Sequence, residues 1–456
     1  MKIKVKMLKK IKELLEKSED EELLFDDRYS DIIKDKIKNK NKQFSSKNYS
    51  KKVFDENRIV IEKLKKFKNR SKKLNYFDEL HITDKRIKEL IEHKKSGGKV
   101  IGTFCNLVPE ELIYAAGAVP VRLCSGCNHS ISPAEEMFPR DSCSLIKSSF
   151  GFAVTDDHYM KLCDVIIMPA TCDGKKKLGE ILNDYKPVWM LDLPQNKERE
   201  ISKKYWLSEI RILKKRIEKL TGNKINKSEL KNAIELLHER YDVIRDFQEV
   251  RKSLSPVILG SDFFIVIQAA FFDDIKRWIE NTRELIDDLN NNIENNLLVK
   301  DKNDLRLLLT GAPIILPNFK IPEMIEEFDA FIAIDETCAG SQFIYDPVVV
   351  EEWTLSEMLS AIAERYLMPS VCPCFIKSED RIDKIMTLIE DFKVDAVIYH
   401  TLRLCLLFDV ESMRVSSVLE ENDIPFLHLN TDYSKEDLGQ LRTRIEAFIE
   451  ILHSKR

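Results

Sequence analysis

Ten cysteines in 456 residues are the side chains here best suited to chemistry, and most do not sit where a packed interior would put them. Cys105 follows the apolar run "KVIGTF", Cys172 follows "DVIIMPAT", Cys338 follows "AFIAIDET", and Cys405 lies just beyond "AVIYHTLRL". Each run reads as a buried strand. Four thiols therefore stand beyond strand carboxyl ends, where open parallel sheets collect their ligands. Cys143 opens a helix predicted after "FPRD", where backbone N–H groups and Arg140 favour a thiolate. "VCPC" sets Cys372 and Cys374 between two helices. With one of that pair, six thiols occupy places suited to a common ligand. Soft thiolate donors favour zinc or iron–sulfur, and spacing alone leaves a metal centre and scattered structural thiols equally open.

The other candidates carry plainer readings beside the chemical ones. Cys163 precedes its strand and reads as a small core hydrophobe. Cys124 and Cys127 form the single C-x-x-C, "LCSGC", a zinc half-site or a redox pair, but no second pair stands at close spacing. His129 can cap that loop. Pro109 suits the first turn of a helix whose open N–H groups can face anionic sulfur. His400, within three residues of a predicted strand end, and Glu336, two before Cys338, are the candidate catalytic proton donors; a structural histidine fits His400 as well. Lys175, Lys176 and Lys177 read as a solvated helix start rather than as counter-charge.

The elements that must position these residues alternate over most of the chain. Continuous apolar strands separated by amphipathic helices predict parallel sheets covered on both faces. The fold class expected is α/β, with two Rossmann/flavodoxin-like parallel-sheet domains and helical N-terminal and linking segments. Residues 1–80 read as a helical extension, 81–200 as the first α/β domain, 201–300 as a helical linker and 301–456 as the second α/β domain. Both α/β units follow one scheme of strand, Pro-started helix, strand and Cys, which suggests an internal repeat.

Composition sets the setting. Charged residues are 33% of the chain, yet the net charge is only −4, so nothing draws nucleic acid or an anionic membrane. The most apolar run, "FFIVIQAAFF", falls short of the ~20 residues a membrane helix requires. No signal peptide is visible in "MKIKVKMLKKIKELLEK", and a cytoplasmic protein with reduced thiols is expected. The chain lacks G-x-x-x-x-G-K-[ST] and is not expected to hydrolyse ATP itself.

The segments that carry the thiols resemble one family. "FCNLVPEELIYAAGAVPVRL", "TCDGKKKL", "DETCAG", "ERYLMPSVCPCF" and the Cys405 segment are similar, in order, to the 2-hydroxyacyl-CoA dehydratase and benzoyl-CoA reductase family over roughly residues 95–450. Within it the chain looks closest to the double-cubane-cluster reductases. Dehydratase subunits of the family hold one [4Fe-4S] cubane with about three cysteines, whereas double-cubane members hold two sulfide-bridged cubanes with six. The resemblance thus implies Cys105, Cys143, Cys172, Cys338, Cys374 and Cys405 as cluster ligands, with Cys372 in nearly equal reach of the fifth place. It also implies a separate ATP-hydrolysing [4Fe-4S] activator, a small-molecule substrate and a homodimer. Where the family has a basic residue in "KFC", this chain has "TLRLC", which leaves the basic role to Arg403 or to another residue.

Overall fold

A computed structural model describes residues 49–156, 158–344 and 346–456. The N-terminal extension expected over 1–80 lies outside the described residues up to 48. From Tyr49 onward the chain is helical and already part of the body. Helix Tyr49–Leu64 buries Val53, Val60, Ile61 and Leu64 in the same core as the first sheet, and Arg70 forms a buried bidentate pair with Asp78 and a further bond to Asp262.

Two four-stranded, all-parallel sheets organise the rest. The first contains β1 (Val100–Thr103), β2 (Val119–Arg122), β3 (Val165–Pro169) and β4 (Val188–Leu191) in the order β2-β1-β3-β4. The second contains β5 (Leu305–Gly311), β6 (Ala330–Glu336), β7 (Ala396–Leu402) and β8 (Phe426–Thr431) in the order β6-β5-β7-β8. The two orders are the same, so the α/β class and the repeat are both present. β3, β5, β6 and β7 are buried at every position, which explains why their sequences run apolar without alternation: helices cover both faces.

The linking region forms four helices, Glu200–Thr221, Lys227–Lys252, Gly260–Ala269 and Ile275–Glu294. Helix Leu355–Leu367, which follows β6, crosses back to cover the first sheet, and Trp206 Nε1 donates to Ala363 O there at 3.0 Å. The two lobes are thereby locked together by exchanged cover. A contact between the lobes also explains a glycine in the C-x-x-C loop: a Cβ on Gly126 would come within 1.9 Å of Ile315 O. Among the described residues no helix is long and apolar enough to cross a membrane.

Helix Leu406–Glu421 is not expected from the sequence. Its apolar residues do not make one buried stripe: Leu406, Val410 and Met413 are 72%, 66% and 71% exposed, and the pattern that usually announces a helix is missing.

Candidate functional site: a thiol-lined cavity between the lobes

Both sheets point their carboxyl ends at one cavity of about 480 Å³, within the range of small-molecule sites. Cys105, Cys143, Cys172, Cys338, Cys372, Cys374 and Cys405 all line it. The structure therefore brings together the six thiols singled out in the sequence, three from each lobe, and adds Cys372. It places both members of "VCPC" at the wall and does not choose between them.

Local backbone explains the convergence. Cys105 leaves β1 and Cys172 leaves β3, the two adjacent central strands between which the connections reverse direction, where an open sheet parts to admit a ligand. Cys143, Cys172 and Cys405 are the N-cap residues of helices Ser144–Thr155, Asp173–Leu182 and Leu406–Glu421. Three helix N-termini thus meet the cavity at a sulfur, where their unpaired N–H groups favour negative charge. Cys105 has φ 60° and Leu404, next to Cys405, has φ 69°. Non-glycine residues in the left-handed region cost energy and gather at functional sites.

The thiols act on one another. Hydrogen bonding with Cys405 is the chief cause holding the Cys143 thiol down to about 7, helped by the amides of Leu145 and Ile146 and by Lys175, against burial; the same pairing pushes Cys405 up. Cys372 is likewise held down by Cys374, and Cys374 is pushed up. Burial raises Cys105, Cys172 and Cys338.

Lys175 corrects the reading of its lysine run. It is buried, donates from Nζ to Cys105 Sγ and lies 5.9 Å from the Phe104 ring centroid. Burial draws its pKa down, but the charges of Cys105, Cys124 and Cys172 outweigh it and the net shift is upward. A third helical position directed back at the cavity places one cation among the sulfurs, while Lys177 pairs with Glu180 in solvent. Arg403 does not take the basic role: it is exposed and pairs with Asp432 at 2.9 Å. Arg140 is exposed and lies off the cavity wall.

Several other expectations change. Helix Glu110–Ala115 does not offer its first amide to sulfur, because Glu110 N donates to the Tyr366 hydroxyl at 3.2 Å, and Glu110 and Glu111 fill its first turn with buried carboxylates. His400 does not reach the cavity. β7 runs on to Leu402, so His400 lies inside the strand, with Nδ1 3.2 Å from Ala312 O; burial pushes it down to about 4. Glu336 also stays off the wall. It pairs with Arg381 at 2.7 Å, accepts from Thr310 Oγ1 at 2.6 Å and from Gln342 Nε2, and burial pushes it up to about 7. Gln342 itself lines the cavity. Arg381 in turn reaches Glu411 at 3.2 Å and Val371 O at 3.5 Å, so Glu336 anchors the loop that carries Cys372 and Cys374.

Outside the wall, Cys163 donates to Tyr159 O at 3.3 Å in the core, as a structural cysteine should. Cys124 stands two residues after β2, as Cys338 stands two after β6, so the repeat pairs these two. Cys127 is buried and does not line the cavity.

A two-lobed parallel α/β protein with a thiol-rich cleft at its strand ends defines a class, and comparison with known proteins gives the family. The family model described as 2-hydroxyglutaryl-CoA dehydratase, D-component, matches residues 105–452. Similar proteins include "Putative dehydratase subunit YjiM" of Escherichia coli, 32% identical over 80% of this chain and 94% of the relative. The (R)-phenyllactyl-CoA dehydratase beta subunit of Clostridium sporogenes is 26% identical over 81% of this chain and 96% of the relative. A benzoyl-CoA reductase subunit of Thauera aromatica is 20% identical over 77% and 90%. The chain belongs to the 2-hydroxyacyl-CoA dehydratase and benzoyl-CoA reductase family.

Proposed function

We propose that this chain is an iron–sulfur reductase that carries a double-cubane cluster, two [4Fe-4S] units bridged by sulfide, and reduces small molecules. The observation that carries the reading is the meeting of seven thiols from both lobes on one cavity wall, more than the three or so that a single cubane of this family takes. The donor set suits the group, since thiolates are the ligands of iron–sulfur clusters and Lys175 supplies a matching positive charge. Cys105, Cys143, Cys172, Cys338, Cys405 and one of Cys372 and Cys374 would hold it. When bound, such a cluster supplies electrons at low potential.

The chain's own residues then have separable tasks. The three helix N-termini and Lys175 stabilise negative charge at the sulfurs. Asn106, Gln195 and Gln342 on the wall offer neutral donors and acceptors to a small polar substrate. Glu336 is a positioning residue, through Arg381 and the Val371 carbonyl, rather than the proton donor expected of it, and His400 holds strand geometry beside Ala312. Electrons would come from a separate ATP-hydrolysing activator. The exposed Leu406, Val410 and Met413, on the helix that starts at Cys405, support a partner docked at the cavity mouth. We place the protein in the cytoplasm, as a homodimer.

A second reading is favoured by the relatives' names: a subunit of an (R)-2-hydroxyacyl-CoA dehydratase or benzoyl-CoA reductase with one [4Fe-4S] cluster. Iron and sulfide quantitation on anaerobically purified protein decides between them. The double cubane predicts about eight iron atoms per chain and a single cubane about four. Four iron atoms, with turnover of a hydroxyacyl-CoA, would replace the first reading by the second.

A further inference from the structure

We propose that Glu56, Cys127 and His129, none of which lines the cavity, form a separate site for one zinc ion. The carboxylate, thiol and imidazole ligand atoms all lie within 4.8 Å of one another, and His129 Nδ1 is 3.2 Å from Glu56 Oε2. Tetrahedral zinc with ordinary bond lengths sets neighbouring N and O ligands about 3.4 Å apart, and S about 3.6 Å from either. The nitrogen and oxygen thus already stand at that spacing, and the sulfur, within 4.8 Å of both, must close in by at most about 1.2 Å.

Chemistry and setting agree with zinc. One sulfur, one nitrogen and one oxygen donor form a mixed set typical of that borderline metal. A thiolate and a carboxylate neutralise its two positive charges, which lets the ion sit in a partly buried place without a net charge. Cys127 is buried and the side chains of His129 and Glu56 are 13% and 35% exposed. The site is thus closed on the protein side and open on one, and three protein ligands leave the fourth position to water.

The loop is also held in place for the task. Ser130 Oγ and Ser148 Oγ donate to Cys127 O at 2.9 and 2.8 Å, Cys127 N donates to Ser125 Oγ at 3.2 Å, and Phe152 packs edge-on against His129. Such supporting contacts orient ligands before a metal arrives. The ion would tie helix Tyr49–Leu64 to the segment between β2 and helix Ser144–Thr155. It gives Cys127 a role apart from the cavity thiols, and it stands whether or not the cavity holds a double cubane.

The test uses the full chain, cluster-loaded and purified anaerobically, equilibrated with zinc chloride, desalted and analysed for zinc and iron together. The expected result is one zinc per chain in the wild type, lost in H129Q and C127S with iron unchanged, and kept in C105S. Because C127S removes a buried side chain, E56Q at the more exposed ligand is the second variant: zinc should raise the wild-type Tm and leave that of E56Q unmoved. No retained zinc in the wild type, zinc retained by both H129Q and E56Q, or zinc lost only with the cavity cysteines would overturn the proposal.

Discussion

At the scale of single residues, Lys175 distinguishes this cavity from a pocket that happens to contain thiols. A buried ammonium is costly unless opposite charge is close, and here its neighbours are Cys105, Cys124 and Cys172. With a cluster bound, removing that cation should make reduction harder. K175M is expected to lower the midpoint potential by about 50–100 mV, the size of a charge interaction of ~1–2 kcal/mol for a one-electron couple, and K175R by less. Redox titration followed by electron paramagnetic resonance checks this, and an unchanged potential would remove Lys175 from the electrostatics of the site. Residue types were the most legible layer of the sequence: thiols beyond strand ends are conspicuous because a buried strand needs no reactive group there. Lys175 was not legible, since three consecutive lysines look like solvent and only the three-dimensional phase of the helix shows which one turns inward. Glu56 was equally hidden, because helix Tyr49–Leu64 meets Cys127 only in the folded chain.

Among the elements, three buried carboxylates, Glu326, Glu336 and Glu411, hold parts of the scaffold that the cysteines depend on. Glu326 accepts from Gly260 N at 2.6 Å and from Ser261 N at 3.3 Å, and so caps helix Gly260–Ala269. Burial raises it from 4.5 to about 7. Between those values the folded protein binds a proton that the unfolded chain has released, so stability falls as pH rises through that window. The loss is roughly 2–3 kcal/mol by pH 7, and urea unfolding at pH 5 and pH 7.5 should show a smaller drop in E326Q than in wild type; parallel profiles would refute this. Arg381 sits between Glu336 and Glu411, and Tyr399 donates to Glu411 at 2.9 Å. R381A leaves two buried carboxylates without their cation, which costs about 3–5 kcal/mol, and should lower iron content by loosening the Cys372 loop. Normal iron and normal stability in R381A would show that the network does not support that loop. Strands and most helices were readable from apolar runs and periodicity. Helix Leu406–Glu421 was not, because residues facing outward at the cavity mouth are apolar; and although His400 does lie two residues from the end of β7, the run could not show that its ring turns to Ala312 O and not to the cavity.

For the whole molecule, the repeated strand order explains how one chain builds a site from two halves. Each sheet delivers thiols at its carboxyl edge, and the exchange of helix Leu355–Leu367 onto the first sheet keeps those edges facing. This arrangement was legible only as a hint of repetition, because sequence shows what each half offers and not how the halves face each other. The most direct measurement is an anomalous difference map at the iron edge from anaerobically grown crystals. The account predicts one compact group of iron peaks inside the cavity, within bonding distance of Cys105, Cys143 and Cys172 from one lobe and Cys338 and Cys405 from the other. Iron bound by the cysteines of a single lobe, or a cavity whose thiols carry no iron, would contradict it.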